Sequence, residues 1–318
     1  MNPVPFLRRL AGRPWLWAYV GAIAVWLVTI LFTGGRGAGE VLTAAFTFAT
    51  FSVIVGIGQM YVVTLGPGNV DLSIPATITL AGAVATKVMD TQNGMILAGL
   101  AVSLLCGIGI GVGNYMLIRL LRIPPIIATL SSSFLIQSAA IAYGRGIRIK
   151  PPPALADFTT ADIAGMPVLA IAVIALAAIM ELVLRRTLYG RFVTAIGQNI
   201  RAARLAGIDV GRTRFSAYVM SAVFAGLCGY LLSGFSGGSS LSMGEEYLLT
   251  SIALVVIGGS SVAGGNSNVP GLWGAALFLF LVVTMLNTYG FGAGMRYLAT
   301  GAIIIAVIVA ASGRRATR

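Results

Sequence analysis

A chain of 318 residues with 58% hydrophobic and only 9% charged side chains has too little polar surface to cover a soluble globule of its size. It has 21 Lys and Arg against 9 Asp and Glu, no histidine, and two cysteines, Cys106 and Cys228, each inside an apolar run. These features exclude histidine-based catalysis, the usual zinc ligand sets and a secure disulfide framework. They leave a single integral membrane domain over residues 1–318.

The first apolar run, 15–33, is longer than a signal-peptide core and lacks a small-x-small exit, so it reads as an uncleaved first helix. Further runs at 41–65, 72–89, 95–118, 126–143, 166–184, 215–233, 248–262, 269–290 and 297–311 predict an all-α polytopic protein of about ten crossings. With the N-terminus inside, fifteen of the basic residues fall on inner segments and six on outer ones, which places both termini in the cytoplasm. The whole excess charge of +12 then lies on the inner face, where contact with anionic lipid accounts for it and nucleic acid is not needed.

Between the second and third runs stands GPGNVDLSIP, residues 66–75, with the only carboxylate between Glu40 and Asp90. Gly66, Pro67 and Gly68 prevent a continuous helix, and a charge in the bilayer centre costs about 3 kcal/mol on the lenient scale. Asp71 is read as a cap for a helix starting at Leu72; lining or gating a polar path is the alternative. In the fourth run, GIGIGVGN at 107–114 spaces Gly107 and Gly111, and also Gly109 and Gly113, as GxxxG, which points to helix packing and not to a nucleotide loop. The polar residues Gln59, Asn114, Ser131, Ser132, Ser133, Gln137, Asn287 and Thr288 lie within runs, as interhelical hydrogen-bonding groups or solute contacts.

The outer segment 144–165 has three consecutive prolines, which predict an extended course. The other long outer segment, 234–247, is small and polar and then acidic. Glu181 four residues before Arg185 predicts an ion pair at an inner helix end. The inner segment 185–214 carries seven arginines and one aspartate, with a short helix predicted over 199–206 and Gly207 as its stop. A second break, IGGSSVAGGNSNVPG at 257–271, repeats the style of the first. Irregular backbone at membrane depth is tolerated only inside protein or around a water-filled cavity, so two breaks suggest a transporter. No GxxxxGK[ST] loop is present, so nucleotide energy must come from a partner.

Several of these segments together resemble one family, the inner-membrane permeases of ribose-type monosaccharide ABC importers. GRFVTAIGQNIRAARLAGI in the inner segment is similar to that family's GRxxxAIGxNxxAAxxxGI. VDLS at 70–73, IPPIIATL at 123–130 and IALVVIGGSSVAGG at 252–265 resemble its GGIDLS, IPPFIATL and IAAVVIGGTSLAGG. Asn69, Pro75, Ser131, Leu248 and Thr250 depart from the family pattern. The resemblance implies a bacterial inner-membrane permease subunit that binds no cofactor itself. Its partners are a tandem-domain ATPase carrying ATP and Mg2+, a periplasmic solute-binding protein, and a second permease subunit, identical or not. It further implies that Gly197, Asn199, Ala202, Ala203, Gly207 and Ile208 belong to a cytoplasmic coupling helix within 185–214. Asp71, Ser73, Asn114 and Gln59, with Gly258, Gly259, Gly264 and Gly265, are the expected pathway or gate. A nucleoside, a furanose signal or a branched-chain amino acid is an alternative solute, and an ion-coupled secondary transporter the alternative mechanism.

Overall fold

The computed structural model describes residues 15–146 and 149–292, and positions 294, 295, 298, 299, 301, 302 and 305. The predicted crossing at 297–311 lies largely outside these residues, as do residues 1–14. The first nine apolar runs each become a helix because side chains too apolar for water leave the backbone to satisfy its own hydrogen bonds. In chain order the helices are α1 (Leu16–Phe32), α2 (Ala38–Thr64), α3 (Ile74–Met89), α4 (Ile96–Leu120), α5 (Pro125–Gly144), α6 (Pro153–Thr160), α7 (Val168–Arg186), α8 (Leu188–Gln198), α9 (Ile200–Leu205), α10 (Val210–Phe235), α11 (Tyr247–Ile257) and α12 (Val269–Thr288). Six have the length and apolarity of a membrane crossing, with a 3-10 turn leading into α4; α1, α3 and α11 are apolar but shorter. Among the described residues six helices are thus long and apolar enough to cross a membrane, three more of the ten expected runs form shorter apolar helices, and the tenth run lies largely outside these residues.

Helix α10 is the central post, packed against α2, α3 and α4. Its junction with α4 uses small residues as predicted: a Cβ on Gly107 would lie 2.5 Å from the Ala222 carbonyl oxygen, and one on Gly111 2.5 Å from Val219 Cα. Gly226 makes the reciprocal approach, 2.6 Å from the Ser103 oxygen. Gly109 and Gly113 face open space, so the second GxxxG pair takes no part in this contact. Helices α2, α10 and α12 are mostly buried, whereas α4 and α5 leave most of their apolar surface outside the bundle.

Three expectations need correction. The run 248–262 is helical only to Ile257; eleven residues rise about 16 Å, half of a bilayer core of about 30 Å, and the second break follows. The proline-rich segment 144–165 is not extended throughout. Pro153 takes the first helical position of α6, where the missing N–H has no helical partner to lose. A two-residue hairpin follows, β1 (Asp162–Ile163) against β2 (Met166–Pro167), with Asp162 opposite Pro167. The segment 185–214, finally, holds more than one short helix, since α7 continues to Arg186 and α8 occupies 188–198, capped by Thr187 Oγ1 accepting from Gly190 N at 3.2 Å. The predicted ion pair is present, with Arg185 Nε 2.6 Å from Glu181 Oε1.

Candidate functional site: two helix breaks and an inner helix

Helix α2 ends where Gly66 (φ +116°) and Gly68 (φ +77°) turn the chain through backbone angles that side chains disfavour. Helix α3 starts at Ile74, two residues later than expected, with Pro75 in its first turn. Asp71 therefore does not cap a helix at Leu72; its carboxylate instead organises the break. Asp71 Oδ1 accepts from Ser73 N (3.0 Å) and Ser73 Oγ (2.6 Å), and Oδ2 accepts from Ser221 Oγ of α10 (2.8 Å). The Leu72 N–H goes to Thr129 Oγ1 of α5 (3.1 Å), and the Asp71 N–H to Gln59 Oε1 of α2 (3.1 Å). Asn114 of α4 donates to Ser73 Oγ at 2.7 Å and accepts from Ser132 of α5.

Four helices thus converge on one break through Gln59, Asn114, Thr129 and Ser221, and Asp71, Ser73, Asn114 and Gln59 are all buried, with Asp71 only 1% exposed. No described cation pairs with Asp71; the ion pairs among described residues are Arg185 with Glu181 and Arg212 with Asp209. Three donors stabilise the carboxylate in place of a counter-ion. Gln59 Nε2 is buried without a hydrogen-bond partner, a loss of about 1–3 kcal/mol. Asn114, Ser132 and Ser221 lie six to eleven residues from the ends of their helices nearest segment 185–214, about 9–16 Å along each axis. What the network can do is fix how α2, α4, α5 and α10 stand around the break.

The second break is closed by its own bonds. Asn268 Nδ2 donates to the Gly258 oxygen (3.2 Å), Asn268 N to Ser260 Oγ (3.2 Å) and Ser261 N to the Asn266 oxygen (2.8 Å). Gly258 lies against Gly271, where a Cβ would come 1.9 Å from the Gly258 oxygen. Gly259, Gly264 and Gly265 all have positive φ.

The two breaks meet. Gly265 N donates to the Thr64 oxygen at the end of α2 (2.9 Å), and a Cβ on Gly264 would lie 2.4 Å from Gly66 Cα. Gly197, near the end of α8, joins the same point: its Cβ would sit 1.9 Å from the Thr64 oxygen and 2.3 Å from Gly265 N. Gln198 Nε2 donates to the Gly265 oxygen at 3.3 Å. Asn69 ties this knot toward the Asp71 network, donating to the Gly66 oxygen (3.1 Å) and accepting from Tyr218 Oη (3.3 Å).

Beyond the knot, α9 is a short helix finished at both ends. Asn199 Oδ1 accepts from Arg201 N and Ala202 N, each at 3.0 Å. Gly207 (φ +80°) donates to the Arg204 oxygen and Ile208 to the Ala203 oxygen, both at 3.0 Å, which is the Schellman arrangement. Ala203 is 4% exposed and faces the bundle, whereas Ala202 is exposed, and Leu205 at 91% stands fully out between exposed Arg201 and Arg204. The structure thus gathers Gln59, Asp71, Ser73 and Asn114 in one network and Gly197, Gly264 and Gly265 in one knot. Gly258 and Gly259 lie apart from both, within the second break. Ser221, Thr129, Tyr218 and Thr64 take part without having been singled out from the sequence.

Residues 41–308 match the family model described as branched-chain amino acid transport system / permease component, and the chain belongs to that family of permease subunits. Among curated proteins, a probable ABC transporter permease protein of Sinorhizobium fredii is 30% identical over 81% of this chain and 77% of its own length. The fructose import permease of Rhizobium meliloti is 28% identical over 89% of this chain and 82% of its own. The ribose import permease of Escherichia coli is 28% identical over 81% of each chain. No solved structure matches the chain.

Proposed function

We propose that this chain is the transmembrane permease subunit of an ATP-driven importer that carries a monosaccharide, delivered by a periplasmic binding protein, across the bacterial inner membrane. The observation that carries the mechanism is the glycine knot, where both helix breaks and the α8–α9 junction share one point of backbone contact. Helix α9 acts as the cytoplasmic coupling helix, with Leu205 as its projecting side chain, and both termini lie on its side of the membrane. A tandem-domain ATPase carrying ATP and Mg2+ docks there, and a second permease subunit completes the pathway. Displacement of α9 moves Gly197, hence Thr64 and Gly265, so one push reaches both breaks. The differential affinity that drives the switch resides in the ATPase.

The relatives' sugars favour a monosaccharide, while the description of the family favours a branched-chain amino acid as second reading. Gentle detergent purification of the tagged chain, with mass-spectrometric identification of co-purifying subunits, tests the assembly. Recovery of a tandem-domain ATPase and a sugar-binding protein is the expected result; a binding protein for amino acids selects the second reading, and persistent absence of any ATPase rejects the importer. In uptake assays Leu205→Asp should leave the membrane level unchanged and lower transport at least tenfold.

A further inference from the structure

Where the end of α4 meets the start of α10, below the Asp71 network, the surface opens into a cleft of about 410 Å3. Three guanidinium groups from three helices line it: Arg119 in the last turn of α4, Arg204 in that of α9, and Arg214 in the second turn of α10. None is in an ion pair with a described acid, and Arg214 Nε is shielded from solvent without a hydrogen-bond partner. The one carboxylate in the wall, Asp209, is already engaged. Its Oδ1 accepts from Arg212 N at 2.9 Å and its Oδ2 lies 3.3 Å from Arg212 Nε.

Gly211 keeps the floor open: a Cβ there would come 3.2 Å from Arg119 Nη1, 3.2 Å from Asp209 Oδ1 and 3.5 Å from Tyr115 Oη. Tyr115 Oη fixes that floor by donating to the Gly211 oxygen at 2.7 Å. Arg119 and Arg204 are exposed and Arg214 is half-buried, and like charges lining one cleft repel one another unless an anion joins them. Planar guanidinium forks suit phosphate oxygens in particular.

We propose that this cleft binds the phosphate of an anionic phospholipid headgroup from the inner leaflet. Arg119 ends a 25-residue apolar helix, which places it at the depth of lipid phosphates. Leu120 and Leu121, which follow it, are exposed and offer an apolar edge for an acyl chain. Basic pockets between membrane helices on the cytoplasmic side hold acidic lipids in this way. The inference rests on the inner placement of α9 given above, but not on transport, and its readout is taken on the purified chain.

The test is native mass spectrometry of the protein in nanodiscs of phosphatidylcholine with one-fifth phosphatidylglycerol. The wild type should retain one phosphatidylglycerol, and Arg119→Gln with Arg214→Gln should weaken retention about 30-fold. Gly211→Leu, which fills the cleft and keeps every arginine, should lose the lipid too, while Arg191→Gln, an exposed arginine outside the cleft, should keep it. If the double variant does not fold, Arg119→Gln alone and Gly211→Leu still decide. Equal retention in wild type and cleft variants overturns the proposal. So does displacement by millimolar inorganic phosphate, which would assign the cleft to a free phosphate compound. Loss of the ATPase from the cleft variants with lipid retained would make it a protein contact and also reject the lipid. Loss of uptake with lipid retention intact would bear on the importer reading and leave this one standing.

Discussion

The Asp71 network and the glycine knot flank the same ten-residue break and are built in opposite ways. The network is made of side chains: a carboxylate, an amide from each of two helices and several hydroxyls, hydrogen-bonded in a buried interior with only Gln59 Nε2 left over. The knot is made by leaving side chains out, so that Thr64, Gly66, Gly197, Gly264 and Gly265 bring backbone against backbone. The first tolerates changes that preserve hydrogen-bonding shape and fails when a partner is orphaned. The second tolerates almost no added atom, whatever its polarity. A region that must hold its angle is suited to the first construction, and one that must pass a displacement between segments to the second.

Gly197→Val is the strongest way to break the comparison. With a Cβ 1.9 Å from the Thr64 oxygen, the end of α2, the second break and α8 must separate. A loss of about 3 kcal/mol or more is expected, read as a lowered melting temperature in detergent together with loss of uptake. Asp71→Ala comes next: it orphans the Ser221 hydroxyl and the Ser73 amide, at about 2–3 kcal/mol. Asp71→Asn, which keeps an acceptor and the volume, should lose about 1 kcal/mol. If Asp71→Asn keeps its melting temperature yet abolishes uptake, the charge itself serves transport and the network is more than a clamp. Gly207→Ala should have an equally small effect, about 1 kcal/mol from placing a Cβ at φ +80° with open space around it. Its melting curve should lie close to wild type, which separates conformational strain at one glycine from the collision at Gly197.

The apolar runs made nine helices legible, because composition alone decides which segments leave water. Boundaries at breaks were harder to read. The run through 248–262 stays apolar past Ile257, and only the meeting of Gly258 with Gly271 shows why the helix stops there. Helix α6 was hidden by three prolines that forbid a helix interior but suit its first turn. Helix α8 was hidden by the arginines around it, although Gly190, Val193 and Ile196 bury one face at helical spacing. Asp71, Gln59 and Asn114 stood out as polar groups in apolar surroundings. Their partners Ser221 and Thr129 did not, since a hydroxyl bonded to its own helix, as Ser216 is to the Arg212 oxygen, has the same sequence signature as one reaching across to another helix. The knot was unreadable for a related reason: glycine records that something comes close, and not which segment it is.

The caps at the two ends of α9 have a kinetic consequence. Six residues are too few to hold a helix in water by propensity alone, yet Asn199 and the Gly207–Ile208 turn complete this one from its own chain. In the proposed docking the ATPase would meet a finished shape, so engagement would require no folding on contact and lose little conformational entropy. Assembly of the proposed complex would then be governed by how often the partners meet in the right orientation, set by diffusion and the exposed arginines.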